Sequence, residues 1–480
     1  MKKRIALGIA ILLVLAVVIA PVALGQGSTM STAFAVQNLG TGSATVSVEF
    51  RDTNGNLTNT LNQVIAEGQN YNFDQRYDTG NPGTEPFQGS AIVSSGNPIG
   101  AVANMMRSGG VAPGYESYNA ITPTGTGLEV LLPQILKNVS SGGLLWNTTI
   151  VVQNTDTANS ANVQLIFTPD PTINPAIGGT LVSPYTHNIT IAAGGTAYVN
   201  QATTPGDAQI GNKFFGSVRV VSNRNVAPVV YSDGGDQVLL AYPSYTSGTT
   251  DYIALPSIYK RIMSGGDEYN AAILIVNFGT VAATVEIEYL PASGSYTVSG
   301  KDTVSVPAKA VKNVDQRYDA PSITSATFLG GAVLKCTNGQ PIAAMVNLRG
   351  GARYGMTYGG IVGGGTTAYL PIAYKTISSG GYSWSSTVIA QNFESAAGDA
   401  NVSFTFYPSA GGSIVDPSSY AVSKIRQFDL RYDTAIAGQP TFIGAIKITA
   451  SRRIGVMVQT RGLGGAGDAL MAYQALMPTP

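Results

Sequence analysis

Apolar and polar residues alternate strictly over several stretches of this chain. Period two is the pattern of an extended strand with one buried face. Ala44-Thr45-Val46-Ser47-Val48-Glu49-Phe50 is one such stretch, and Ala283-Thr284-Val285-Glu286-Ile287-Glu288-Tyr289 and Ala400-Asn401-Val402-Ser403-Phe404-Thr405-Phe406 are two more. Turn formers separate them, among them Asp52-Thr53-Asn54-Gly55-Asn56 and Ala292-Ser293-Gly294-Ser295. No 3.6-residue periodicity follows residue 26. The pattern predicts an all-β protein whose sheets are covered on one side, as in the walls of a sandwich.

A second pattern is a continuous apolar run that ends in asparagine. It occurs as Phe34-Ala35-Val36-Gln37-Asn38, Ile150-Val151-Val152-Gln153-Asn154, Ile273-Leu274-Ile275-Val276-Asn277 and Val388-Ile389-Ala390-Gln391-Asn392. These asparagines are 116, 123 and 115 residues apart. Leu-Pro-x-x-x-Lys precedes three of them, at Leu132–Lys137, Leu255–Lys260 and Leu370–Lys375, and Trp146, Tyr269 or Trp384 follows. Phe87, Phe215, Phe328 and Phe442 open a later strand, and each copy closes on a strand bearing Tyr118, Tyr242, Tyr358 or Tyr473. Ordered markers at one period mean an internal repeat.

The fourth copy reads as seven strands: Leu370–Ile377, Ser386–Phe393, Ala400–Pro408, Tyr420–Asp429, Phe442–Ala450, Ile454–Thr460 and Leu470–Leu476. Seven short strands in about 115 residues resemble the immunoglobulin-like sandwiches repeated in secreted bacterial surface proteins. The expected organisation is four tandem immunoglobulin-like antiparallel β-sandwich modules after a cleavable signal peptide, at 26–130, 131–253, 254–369 and 370–480. The resemblance implies a stalk, coat, filament or adhesin, and it brings no active site.

The N-terminus carries Lys2, Lys3 and Arg4, then an apolar run from Ile5 to Ala20, then Ala23-Leu24-Gly25. That is the layout of a signal peptide occupying 1–25, which predicts export and no membrane attachment after cleavage. Charged residues are only 11%, against about 25% in ordinary soluble proteins, and the net charge is zero. Such a surface does not steer toward phosphate, so nucleic acid is not an expected partner. The single cysteine, Cys336, excludes an internal disulfide, and alternation places it on one face with Ala332 and Leu334.

One charged motif recurs. Asp74-Gln75-Arg76-Tyr77-Asp78 returns as Asp315-Gln316-Arg317-Tyr318-Asp319 and as Asp429-Leu430-Arg431-Tyr432-Asp433, while the second copy has Asn200-Gln201-Ala202-Thr203. Three copies on three modules read as architecture: an arginine ion-paired to flanking carboxylates, with the tyrosine covering a sheet end. Asp74, Asp78, Asp315, Asp319, Asp429 and Asp433 are also the candidate calcium ligands. The lone histidine, His187, has no nucleophile elbow near it, and no catalytic residue, cofactor or other metal is expected.

The first copy lacks a Leu-Pro-x-x-x-Lys segment. A sandwich short of one strand offers an open edge to another chain. The expected partners are therefore copies of the same protein, with Leu470–Met477 as a donor strand. The alternative is a glycan-binding surface on exposed tyrosines such as Tyr354, Tyr358 and Tyr382.

Overall fold

The computed structural model describes residues 29–75, 87–203, 209–465 and 469–477, together with the backbone of 11–15. The protein is all-β with multiple sheets. Residues 1–10 and 16–25 of the expected signal peptide lie outside the described residues, as do Arg76, Tyr77 and Asp78.

One strand-pairing scheme occurs four times along the chain. In its third occurrence, strands one to eight are Ile253–Lys260, Asp267–Asn277, Ala283–Pro291, Asp302–Val306, Val311–Asp315, Phe328–Cys336, Ile342–Gly350 and Tyr354–Gly359. Strands four, three, six and one form one antiparallel sheet in that order. Strands five, two, seven and eight form the other. Alternating side chains from both sheets, such as Ile273, Val285, Phe328 and Val346, are buried in one core. Cys336 is buried there with Ala332 and Leu334.

Each unit thus has eight principal strands rather than seven, and the order departs from an immunoglobulin sandwich, whose first strand lies beside its second. Here the first strand lies beside the sixth and the seventh beside the second. In the fourth unit the expected strand Tyr420–Asp429 divides. Tyr420–Val422 pairs with Ala400–Val402, and Ile425–Asp429 pairs with Thr387–Gln391 in the opposite sheet. Conversely, Phe442–Ala450 and Ile454–Thr460 run together as one strand, Phe442–Leu463, that passes from sheet to sheet. Alternation marks extended backbone but cannot say which sheet receives it.

The four units close on one another. The sheet of strands five, two, seven and eight buries its second face against the preceding unit. Val151, Val229 and Leu239 of the second unit join the core of the first, Leu274 and Met345 of the third join the second, and Ile389 and Met457 of the fourth join the third. Ala35 and Val102 of the first unit join the core of the fourth, which completes a ring. Across that closure Asn70 Nδ2 donates to the Pro371 carbonyl at 2.8 Å, and Asn119 Nδ2 donates to the Gln474 carbonyl at 2.8 Å. The eighth strands, Gly114–Asn119, Val238–Pro243, Tyr354–Gly359 and Leu470–Gln474, meet in the middle. Buried Glu116 accepts there from the backbone N–H of Thr357 at 2.8 Å and of Ala472 at 3.3 Å.

This arrangement corrects two expectations. The units are not a string. Leu470–Gln474 is the paired, buried eighth strand of the fourth unit and is not a free donor. It also explains the continuous apolar runs: Ile150 and Val152 face their own core while Val151 faces the first unit, so no position from Thr148 to Asn154 is left to water.

One ion pair reinforces the first junction. Arg107, with no exposed surface, pairs with Asp233 of the second unit and donates to the Ala112 carbonyl at 3.1 Å. Burial pushes the Asp233 carboxyl above its ordinary range, with Arg107 opposing that shift. Asp233→Ala would strand the guanidinium without a counter-charge. The expected loss is about 3–5 kcal/mol of unfolding free energy, measured by urea denaturation.

Candidate functional site

The recurring sequence markers are used first to satisfy buried backbone. Asn277 Nδ2 donates to the carbonyls of Val281, Val306 and Pro307 at 2.8–3.1 Å, and its Oδ1 accepts from Gly279 N–H at 2.7 Å. Asn38, Asn154 and Asn392 make the corresponding contacts, Asn392 holding the Val422 and Ser423 carbonyls where the chain changes sheets. Each asparagine is a buried clamp between two loops, because one amide supplies both donors and an acceptor.

The Leu-Pro-x-x-x-Lys segments are the first strands of units two to four. Proline cannot donate to a ladder, and the register slips at that point in each. The closing tyrosine fills the gap. Tyr358 Oη donates to the Ser257 carbonyl at 2.6 Å and accepts from its N–H at 3.0 Å. Tyr242 does the same with Gln134 at 2.5 and 3.0 Å, and Tyr473 with Ile372. Tyr358 is fully enclosed by the fold, and Tyr382 is buried at a junction, so neither is a sugar platform.

The aspartate–arginine motif lies at the rim between units. Arg317 Nε and Nη2 grip both oxygens of Asp315 at 3.0 and 2.6 Å, and Asp319 Oδ2 accepts from Asp315 N–H at 3.0 Å. Arg431 grips Asp429 in the same way at 3.0 and 2.5 Å, while Asp433 Oδ1 accepts from Ala435 N–H at 2.9 Å. Burial raises the Asp433 carboxyl above its ordinary value. Asp74 closes the fifth strand of the first unit, paired with Ala33. Among the described residues, no three acidic, histidine or cysteine side chains come together as a metal cage. The tyrosines do not cover a sheet end. Tyr318 and Tyr432 are 72% and 77% exposed, each with its neighbouring arginine about 5 Å above the ring.

Between the second and third units the motif borders a cleft of about 370 Å³. Hairpins with positive-φ glycines, Gly142 and Gly143 at 60° and 78°, turn the chain so that Trp146 reaches this junction. Arg349 of the third unit lies 4.5 Å over the Trp146 ring and donates to the Ser141 carbonyl at 3.2 Å. Asn347 Nδ2 crosses the junction to Gln134 Oε1 at 2.6 Å. The sequence reading singled out Arg317 and Trp146 but not Arg349, Asn347 or Glu268, because nothing along the chain says which units face each other. His187 is a half-buried strand residue distant in sequence from every residue lining the cleft.

No protein-family profile matches the chain, and no curated protein matches it. Among solved structures, one described as the "crystal structure of tetra-tandem repeat in extending region of large adhesion protein" aligns over 92% of this chain and 94% of its own. It does so at 10% identity and a TM-score of 0.11, a likeness that carries no argument about this protein's role.

Two outcomes test the tyrosine bridges. Tyr358→Phe leaves the Ser257 N–H and carbonyl unpaired in the core and is expected to cost about 1–3 kcal/mol by urea denaturation. Burial also raises the hydroxyl pKa of Tyr242, Tyr358 and Tyr473 above the ordinary 10.0. The folded chain then keeps protons that the unfolded chain releases. Their stabilisation is full below about pH 10 and is lost as pH rises beyond it. An alkaline titration should show tyrosinate absorbance from these groups only together with loss of the native circular dichroism.

Proposed function

We propose that the chain is a secreted structural or adhesive protein of the cell surface, built from four β-sandwich modules at 26–130, 131–253, 254–369 and 370–480. In this reading residues 1–25 are a signal peptide, copies of the protein join by strand addition at the first module, and no catalytic step or cofactor takes part.

One observation carries the assembly reading. The backbone of Ile11–Leu15 pairs with Ser95–Ala91, the sixth strand of the first unit, and Leu15 stands opposite Ala91 as Leu132, Leu255 and Leu370 stand opposite Val218, Ala332 and Ile446. Ile11–Leu15, within the apolar run of the proposed signal peptide, thus lies in the register of a first strand. Cleavage after Gly25 would remove it and leave the backbone edge of Gly89–Ser95 open, and an open edge invites another strand. The complementary surface is the opposite edge of the same sheet, Leu57–Ile65, which exposes Leu57 and Val64. Joining one edge to the other is heterologous, and a heterologous contact that does not close propagates as a filament.

Light scattering on protein beginning at Gln26 is expected to show concentration-dependent oligomers, which a synthetic peptide spanning Ile11–Leu15 caps. A strictly monomeric species at high concentration, with or without the peptide, removes the assembly reading.

A further inference from the structure

The cleft between the second and third units is bridged by Asn347 and Arg349 but left open between them, and it differs from the other junctions. At the junction of units three and four, Tyr259 stands where the second unit has Leu136, and its hydroxyl reaches Gln459 at 3.4 Å. At the junction of units four and one, Tyr115 packs edge-on against Trp384 at 4.8 Å between centroids. Between units one and two stands the Arg107–Asp233 pair. Among the described residues, the second junction combines Leu136, smaller than the tyrosine at the next junction, and Gln134 with amides across from them. Its volume of about 370 Å³ falls in the range of small-molecule sites, about 300–1,000 Å³.

The lining selects the ligand. Glu268 and Asp315 face the cleft together with Arg317 and Arg349, two charges of each sign. Asp315 is already matched by Arg317, and Arg349 is held on Trp146 and the Ser141 carbonyl. An anion would meet Glu268 and Asp315, and a cation would meet the two arginines. The other polar side chains of the lining include the amides of Gln134, Asn270, Asn313 and Asn347. Asn347 is committed to Gln134 Oε1 and Thr357, whereas Asn270, which donates to Glu268 Oε1 at 2.8 Å and accepts from Arg261 N–H at 2.8 Å, has a second N–H on the same nitrogen, since an amide carries two donors. Hydroxyl groups, which also donate and accept, match such a surface without a net charge. Tyr318, the residue after Arg317, extends an exposed ring; the Arg317 guanidinium lies over one face, and the opposite face is a stacking platform.

We propose that this cleft binds a neutral saccharide, with Glu268, Asn270 and Arg349 contacting its hydroxyls and Tyr318 stacking on the sugar beyond the cleft mouth. The site lies within one molecule, so it works in the monomer and does not depend on strand addition.

The test is calorimetric titration of the monomeric full chain with neutral hexasaccharides of glucose, mannose and N-acetylglucosamine, and with oligogalacturonate as the charged control. Tryptophan fluorescence is read alongside, since Trp146 lines the cleft. Binding of a neutral oligosaccharide, weakened about tenfold or more by Glu268→Gln and by Tyr318→Ala but not by Tyr432→Ala, supports the proposal. Both of the first two side chains are exposed, so the variants should fold, and an unchanged melting temperature verifies that. No heat from any neutral probe, a preference for oligogalacturonate, or affinity indifferent to both variants overturns it.

Discussion

The architecture depends on one sheet in each unit being covered on both faces. An antiparallel sheet with a single buried face asks only for alternation, and the strands Ala44–Asp52, Ala283–Pro291 and Ala400–Pro408 meet that requirement within their own unit. The sheet containing strands two and seven is different. Its inner face fills its own sandwich and its outer face fills the preceding unit, so Ile150 and Val151, adjacent in sequence, belong to different cores. With about 25 cal/mol for each Å² of apolar surface removed from water, leaving that second face exposed in four separate units would be strongly unfavourable. Closing Ala35 and Val102 of the first unit onto the fourth removes the last uncovered face.

Such burial leaves many backbone groups far from water in a chain with few charges to help. The solution is repeated neutral hydrogen bonding. Asparagines end the second strands and take loop carbonyls; tyrosines from the central strands plug the interruptions that proline makes in the first strands. Lysine completes the set, with Lys260 Nζ donating to the Ile323 carbonyl at 3.0 Å and Lys375 Nζ to the Ile436 carbonyl at 2.5 Å. These groups recur because every unit meets the same problem at the same place. Side chains that differ between units, such as Leu136 against Tyr259 or Gln134 against Ser257, are where one junction departs from its neighbours.

Much of this was legible along the chain. Period two in Ala400–Phe406 announced a strand, and the runs ending in Asn38, Asn154, Asn277 and Asn392 announced the repeat. The same runs also held the evidence for a second covered face, since a half-exposed strand does not read Ile-Val-Val. What strand would cover them was not legible, because contacts such as Asn119 to Gln474 join residues 355 positions apart and leave no local pattern. The buried fates of Tyr358 and Leu470–Gln474 were missed for the same reason: their strands lie at the centre only once the ring has closed. At the candidate site, Arg317 and its carboxylate showed in the motif, whereas the cleft beside them is made by two units meeting.

The central claim is closure of four sandwiches through the doubly covered sheets. Small-angle X-ray scattering on the monomeric protein measures it most directly. A closed ring predicts a radius of gyration near that of a compact chain of this length, about 23 Å. Four sandwiches strung end to end would give roughly twice that value and an elongated distance distribution, and such a profile would contradict the account.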